Sequence, residues 1–254
     1  MTWPLDARIS RAEFLADKNP SAREALNFYR ELAIFQKTIA ADLKSTAFAG
    51  AGELARFFPP LLDLVCSNAP QTVAEFSRAH LHDPEAREQL LVRFWEQRAR
   101  LDPAQAGAPR FFARVILEPY AEYLAARGVV PTGNADSTCP FCNARPVAAI
   151  LRGESESGKR WLVCSWCATE WQFRRVLCPG CGAEDKENLP VFTTPEFTSV
   201  RIDACDICHT YIKSIDLTKD GHAVPVVDEI AAIPLDIWAE EHGYSKLEPN
   251  LLEM

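Results

Sequence analysis

No stretch of this 254-residue chain strings together the roughly 18 apolar residues that a membrane-crossing helix needs. The opening "MTWPLDARISRAEF" lacks the apolar stretch of a secretory signal. Both absences point to the cytoplasm, where thiols stay reduced. An excess of basic charge is also missing: 27 Lys and Arg stand against 35 Asp and Glu, a net charge of −8. Nucleic-acid binders carry a basic domain or stripe. Here basic residues gather only in local pairs such as Arg174 and Arg175, so nucleic acid is not the expected partner. The signatures of common catalytic sites are absent too. There is no nucleophile elbow, no metal-hydrolase helix and no dinucleotide fingerprint. The deaminase arrangement is excluded because proline follows the first cysteine and no H-x-E precedes it. "GESESGK" (153–159) nearly spells a phosphate loop, but Arg160 stands where a hydroxyl is required, and it reads as a solvated hairpin turn.

What is present is a chain of two textures. Residues 1–130 carry 16 basic and 16 acidic groups and read as helical. Pro20-Ser21 opens a run with Ser21 and Glu24 at capping-box spacing. Leu26, Tyr29, Leu32, Phe35, Ile39 and Leu43 then mark one helix face. A second helix is expected over Leu54 to Val65, bent by Pro59-Pro60. Thr72 and Glu75 again have capping-box spacing, Asp83-Pro84 starts a further helix, and a last one runs from Arg110 to Ala126 and stops at Gly128. "GVVPTGNADST" (128–138) follows neither period and reads as a domain boundary. Beyond it short alternating runs ("RWLVC", "EWQFRRVL", "PVFTT", "TSVRIDAC") read as strands. The segment 225–254 carries one basic and seven acidic groups and ends in a helical "DIWAEEHG" with Gly243 as its stop.

Eight of the nine cysteines form four Cys-x-x-Cys pairs: Cys139/Cys142, Cys164/Cys167, Cys178/Cys181 and Cys205/Cys208. That spacing lets a tight turn aim two thiolates at one ion, and two such turns complete a tetrahedral site. Sequential, cross-braced and nested groupings all satisfy the count. The internal comparison favours the sequential one. "CPFCN" and "CPGCG" both have proline after the first cysteine, and both end on a residue tolerant of a left-handed backbone. The second and fourth pairs both follow an apolar strand and precede an aromatic residue, Trp171 or Tyr211. The chain thus contains a tandem repeat of knuckle, hairpin, knuckle and exit strand, with "GESESGK" and "TTPEF" as the hairpin turns. Ala168 and His209 depart from the glycine pattern after their knuckles. Each unit is too small to bury much core, so the ion acts as its staple. A closed four-sulfur site leaves no coordination position for a substrate. The ligands suit zinc and iron alike. "CPGCG" resembles the first knuckle of a rubredoxin, which favours iron and leaves zinc open.

The order "CPFCNARPV", "RWLVCSWCATEWQFRRVLCPGCG", "DACDICHTYIKSID", "VDEIAAIPLDIWAEEHGY" resembles the FdhE family of formate dehydrogenase accessory proteins. The likeness covers about Cys139 to Tyr244 and includes Trp171, Arg175, Tyr211 and Lys213; Asn143 departs from the usual glycine. The resemblance implies a cytoplasmic, non-catalytic maturation factor with rubredoxin-type iron. It would contact the catalytic subunit of respiratory formate dehydrogenase before export.

The resulting expectation is an α+β chain. A helical domain (1–130) precedes two rubredoxin-like four-cysteine metal ribbons with short antiparallel sheets (131–182 and 178–224) and an acidic segment (225–254). The eight paired cysteines are the metal ligands for two ions. Arg174, Arg175, Arg201 and Lys213 are candidates for a docking patch facing an acidic partner. Association as a homodimer is open. The alternative is a zinc-ribbon nucleic-acid-binding protein. Cys66, in "LLDLVCSN", reads as a small buried side chain. His80 and His82 read as helix-end surface residues, and His209 as no ligand.

Overall fold

A computed structural model describes residues 4–45, 50–102, 107–128, 137–153 and 159–254. Most of the expected domain boundary (128–138) and of the "GESESGK" turn lies outside the described residues.

The first helix, α1 (Leu5–Lys18), is one that apolar spacing does not announce. Its buried face holds Arg8 and Arg11 beside Ala12, Leu15 and Ala16, so two cations interrupt the apolar stripe. The helix α2 (Arg23–Ser45) buries all six residues that the spacing selects. It starts from a 3-10 turn at Pro20–Ala22, and Ser21 lies within that turn rather than capping from outside. The expected bent helix is instead two elements. A 3-10 stretch (Ala51–Phe57) gives way to α3 (Phe58–Asn68), whose first turn takes both prolines because those positions need no amide donor. α4 (Gln71–His80) begins directly after Pro70, so Thr72 is inside it and does not cap it. α5 (Pro84–Gln97) follows the expected rule, with Asp83 accepting from the Glu85 amide at 3.1 Å. α6 (Ala108–Ala126) is buried on every side from Arg110 to Ala121, the pattern of a central helix.

The second half holds strands β1 (Pro146–Arg152), β2 (Lys159–Cys164), β3 (Glu170–Phe173), β4 (Val191–Phe192), β5 (Val200–Cys205) and β6 (Thr210–Asp216). After them come α7 (Pro225–Ala231), α8 (Ile233–Glu241) and a short β7 (Ser245–Lys246). Strands β1, β2 and β3 form one antiparallel ribbon, and β4, β5 and β6 form the other. The two are not separate sheets. β1 pairs with β6 in parallel, Ala149 opposite Ser214 and Leu151 opposite Asp216, giving one sheet ordered β3-β2-β1-β6-β5-β4 with β7 on β6. The expected strand "EWQFRRVL" is strand only over Glu170–Phe173; Arg174 to Leu177 is bent chain.

The acidic segment is not a solvated tail. Asp228, Glu229, Asp236 and Glu248 are buried. Arg11 holds Asp228, Lys213 and Lys246 hold Glu229 and Asp236, and Arg110 holds Glu248 and Glu253. Its charge is an internal complement to cations from α1, α6 and β6. Arg114 ties three regions together. It donates to the Pro249 and Asn250 carbonyls at 2.9 and 2.6 Å, to the Ser165 carbonyl at 2.9 Å, and pairs with Glu118 at 2.9 Å. One apolar core runs from the helices into the first ribbon and takes in Phe112, Ile116, Cys139, Cys164 and Trp171.

Candidate metal centres

Each knuckle is built by a backbone reversal. The amide of Asn143 donates to the Cys139 carbonyl at 2.8 Å, that of Gly182 to Cys178 at 3.0 Å, and that of His209 to Cys205 at 2.9 Å. The residue after each pair is left-handed: Asn143 at φ 58°, Ala168 at 50°, Gly182 at 77° and His209 at 54°. The glycine pattern that Ala168 and His209 break in sequence is therefore kept in the backbone. A Cβ in that region costs about 1–2 kcal/mol. Ala168→Gly is accordingly expected to stabilise the chain by about 1 kcal/mol and to raise Tm by roughly 2–4 °C. His209→Gly should gain less, since the His209 ring lies 6.4 Å from that of Tyr244. Thermal melts of the two variants against the parent check both.

The knuckles gather the eight sulfurs sequentially. Cys139, Cys142, Cys164 and Cys167 form one cluster and Cys178, Cys181, Cys205 and Cys208 the other, all ligand atoms within 4.8 Å of one another in each. Sulfur pairs stand 3.3 Å (Cys142–Cys164), 3.6 Å (Cys139–Cys167), 3.7 Å (Cys178–Cys208) and 3.7 Å (Cys181–Cys205) apart. Four sulfurs at about 2.3 Å from a tetrahedral ion would be about 3.8 Å apart, so both clusters fit such an ion. Cross-braced and nested groupings are excluded by these positions. Donors surround the sulfurs. The Trp166 and Cys167 amides point at Cys164 Sγ (3.4 and 3.5 Å) and the Gly180 amide at Cys178 Sγ (3.3 Å). Thr169 and Thr210, two residues after Cys167 and Cys208, each place a hydroxyl 3.1 Å from that sulfur. Burial pushes the Cys164 thiol up and the Cys178 thiol up to about 12. A cation held by these sulfurs would supply the charge that deprotonates them.

The two sites differ in setting. The first has all four sulfurs buried within the main core. In the second, Cys181 is exposed and Cys208 half-buried. Gly180 also has no room for a side chain, because a Cβ there would sit 2.8 Å from Thr210 Oγ1 and 3.4 Å from Cys208 Sγ.

Profiles described as the FdhE central domain and the FdhE C-terminal domain match residues 138–175 and 176–252. The chain belongs to the FdhE family. It is 29% identical to the FdhE homolog of Aquifex aeolicus over 270 residues, covering 96% of this chain and 93% of the other. It is 34% identical to the FdhE homolog of Pseudomonas aeruginosa over 132 residues, 49% of this chain and 42% of that one. The crystal structure of the FdhE protein from Pseudomonas aeruginosa superposes with a TM-score of 0.69 at 23% identity, over 98% of this chain and 95% of that chain. That likeness is one of fold.

Within this FdhE fold the basic candidates part company. Arg174 is exposed and grips Glu184 through two bonds of 2.7 and 2.8 Å. Arg175 and Arg201 both line a cavity beside the second metal site. Lys213 is not on the surface. It is fully buried under α7 and α8, 2.6 Å from Asp236 and 2.9 Å from Glu229, and cannot face a partner there. It lies mid-strand in β6, where Tyr211, Lys213 and Ile215 share the face that the α7–α8 pair covers. Burial alone would raise the Glu229 carboxyl, but Lys213 and Lys246 hold it down to about 2. Cys66 is exposed, against expectation. The buried stripe of α3 runs Phe58, Leu61, Val65, and Cys66 falls one step round from it. Residues that sequence reasoning passes over are Thr169 and Thr210, Arg114, and the cavity's Arg160, Lys186 and Asp203. The threonines could have been found, since they occupy equal places in the two repeats.

Proposed function

We propose that this chain is a non-catalytic accessory factor that matures respiratory formate dehydrogenase by binding its catalytic subunit in the cytoplasm. The observation that carries the reading is the pair of closed four-cysteine clusters in an FdhE-family chain. Such a site fills every coordination position from the protein, so it stiffens a surface or passes an electron but does not activate a substrate. Among the described residues no helix is long and apolar enough to cross a membrane, which suits a partner met before export.

The ligand sets would hold two ions. Iron is the favoured occupant, on the likeness of "CPGCG" to a rubredoxin knuckle, and zinc satisfies the same donors. The test has two readouts on anaerobically purified protein. Elemental analysis with an absorption spectrum is expected to give two metals per chain, with thiolate charge-transfer bands if they are iron. Co-purification with tagged catalytic subunit is expected to recover the complex. Its absence, under conditions where the chain holds both metals, would sink the proposed role.

A further inference from the structure

Beside the second metal site lies a cavity of about 390 Å³. Outside the metal ligands Cys178 and Cys205, its charged lining is one-sided. Arg160, Arg175, Lys186 and Arg201 contribute four cations against one carboxylate, Asp203. That carboxylate is already engaged. Asp203 accepts from Arg201 Nε at 2.8 Å and from Ser214 Oγ at 2.6 Å. Arg160 is left short. It is 4% exposed, and among the described residues its Nη1 reaches only the Leu177 carbonyl at 3.4 Å and neither Nε nor Nη2 has a hydrogen-bond acceptor. Nη2 stands 3.4 Å from Asp203 Oδ2, close enough for attraction but outside hydrogen-bond geometry. Nε and Nη2 are the edge with which a guanidinium takes a carboxylate in two parallel bonds. A buried donor without an acceptor is costly, and such groups mark places where something unbuilt completes the set.

The rest of the lining tells which anion. Val176 and Val191 stand at the cavity 41% and 49% exposed, with Leu189 beside them. Val191 belongs to β4, the end strand of the sheet, whose outer edge has no neighbour among the described strands. An isolated inorganic anion would leave this apolar wall uncovered and fill little of the volume. A short extended segment whose acidic side chain enters beside apolar ones covers both. We propose that this cavity binds an acidic peptide segment of a protein partner, with a carboxylate drawn to Arg160 and the rim cations Arg175, Lys186 and Arg201. The assignment rests on the accessory-factor reading above, and it moves the docking site away from Lys213 to the basin next to Cys178 and Cys205.

The test is fluorescence anisotropy with the full-length, metal-loaded chain. The probe is a labelled octapeptide alternating Asp or Glu with Val or Leu. A second peptide carries Asn and Gln at the acidic places, and inorganic phosphate is the third ligand. The acidic peptide is expected to bind in the micromolar range, with binding weakened by salt. The amide peptide should bind at least about tenfold more weakly, and so should Arg160→Gln toward the acidic peptide. The exposed pair Arg175→Glu with Lys186→Glu should weaken it similarly, and decides the matter if Arg160→Gln does not fold. Equal affinity for both peptides, unchanged affinity in the charge-reversed variant, or binding of phosphate alone would overturn the assignment. Capture of the catalytic subunit separates the two readings. If the parent captures it while the peptide fails to bind, the cavity assignment falls and the accessory role stands. If the parent does not capture it, the role itself falls.

Discussion

Cys142→Ala is expected to leave the chain without a cooperative thermal transition, whereas Cys181→Ala should still melt cooperatively. The two sites have the same ligands and differ in what they hold. A structural four-cysteine site is worth about 10–16 kcal/mol when loaded with zinc. The net stability of a domain is about 5–15 kcal/mol. Loss of the first site therefore removes a contribution as large as the whole margin. Its effect is not local, because Cys139, Cys142, Cys164 and Cys167 share one core with Phe112, Ile116 and Trp171. The second site lies outside the apolar clusters, with Cys181 at the surface. Its loss frees the Cys178–Cys181 and Cys205–Cys208 knuckles while the helices and first ribbon keep their packing. A fall in Tm of about 10 °C is expected, from roughly 3–5 kcal/mol of local contacts at about 2–4 °C per kcal/mol. Circular-dichroism melts with metal counts per chain check both parts. Cys181→Ala should hold one ion. A chelator added to the parent should strip the exposed site well before the buried one, and loss of both at one rate would contradict the asymmetry.

The second large effect is expected at Arg114. Arg114→Met removes one side chain, leaves the buried Glu118 carboxylate without its paired cation and the carbonyls of Ser165, Pro249 and Asn250 without that donor, and leaves Glu253 with Arg110 alone. Breaking a buried ion pair from one side costs about 3–5 kcal/mol, here equivalent to roughly 10 °C or more in Tm. The deficit should depend on pH with a definite sign. Burial pushes the Glu118 carboxyl up to about 7, against the pull of Arg114. A carboxyl raised above its unfolded value gives stability that is full below about 4.5 and lost as pH rises through about 7. Without Arg114 the Glu118 value rises further. The difference between parent and Arg114→Met should thus be larger at pH 8 than at pH 6. Urea titrations at the two pH values measure it. Glu118→Gln in the Arg114→Met background should abolish the extra loss at pH 8.

The ligand grouping could be read because a metal knuckle is local: cysteine spacing, a proline and a left-handed residue fall within a few positions. The helix α2 could be read because its stripe is purely apolar. α1 could not, because Arg8 and Arg11 sit on its buried side, made tolerable by Glu122 and Asp228 from far along the chain. The segment from residue 225 reads only as acidic for the same reason: the partner of each buried carboxylate lies in another element. Lys213 looks like surface charge until α7 and α8 are laid over β6. Arg160 is a second such case, an arginine at the head of an apolar strand run that is buried. Long-range pairing of charge leaves no periodic trace.

The parallel seam between β1 and β6 also bears on how the chain reaches its fold during synthesis. β1 ends at Arg152 and β6 begins at Thr210, so the inner edge of the first ribbon is translated well before the strand that covers it. Through that interval the first ribbon can load its ion and pair β1 with β2, yet it presents a bare strand edge open to any neighbouring chain. Filling of the second site then does more than stabilise its own knuckles. It would fix the turn between β5 and β6 through Cys205 and Cys208, and so set the register in which the open edge is closed. Metal supply would thereby govern how long the nascent protein remains exposed to misassociation.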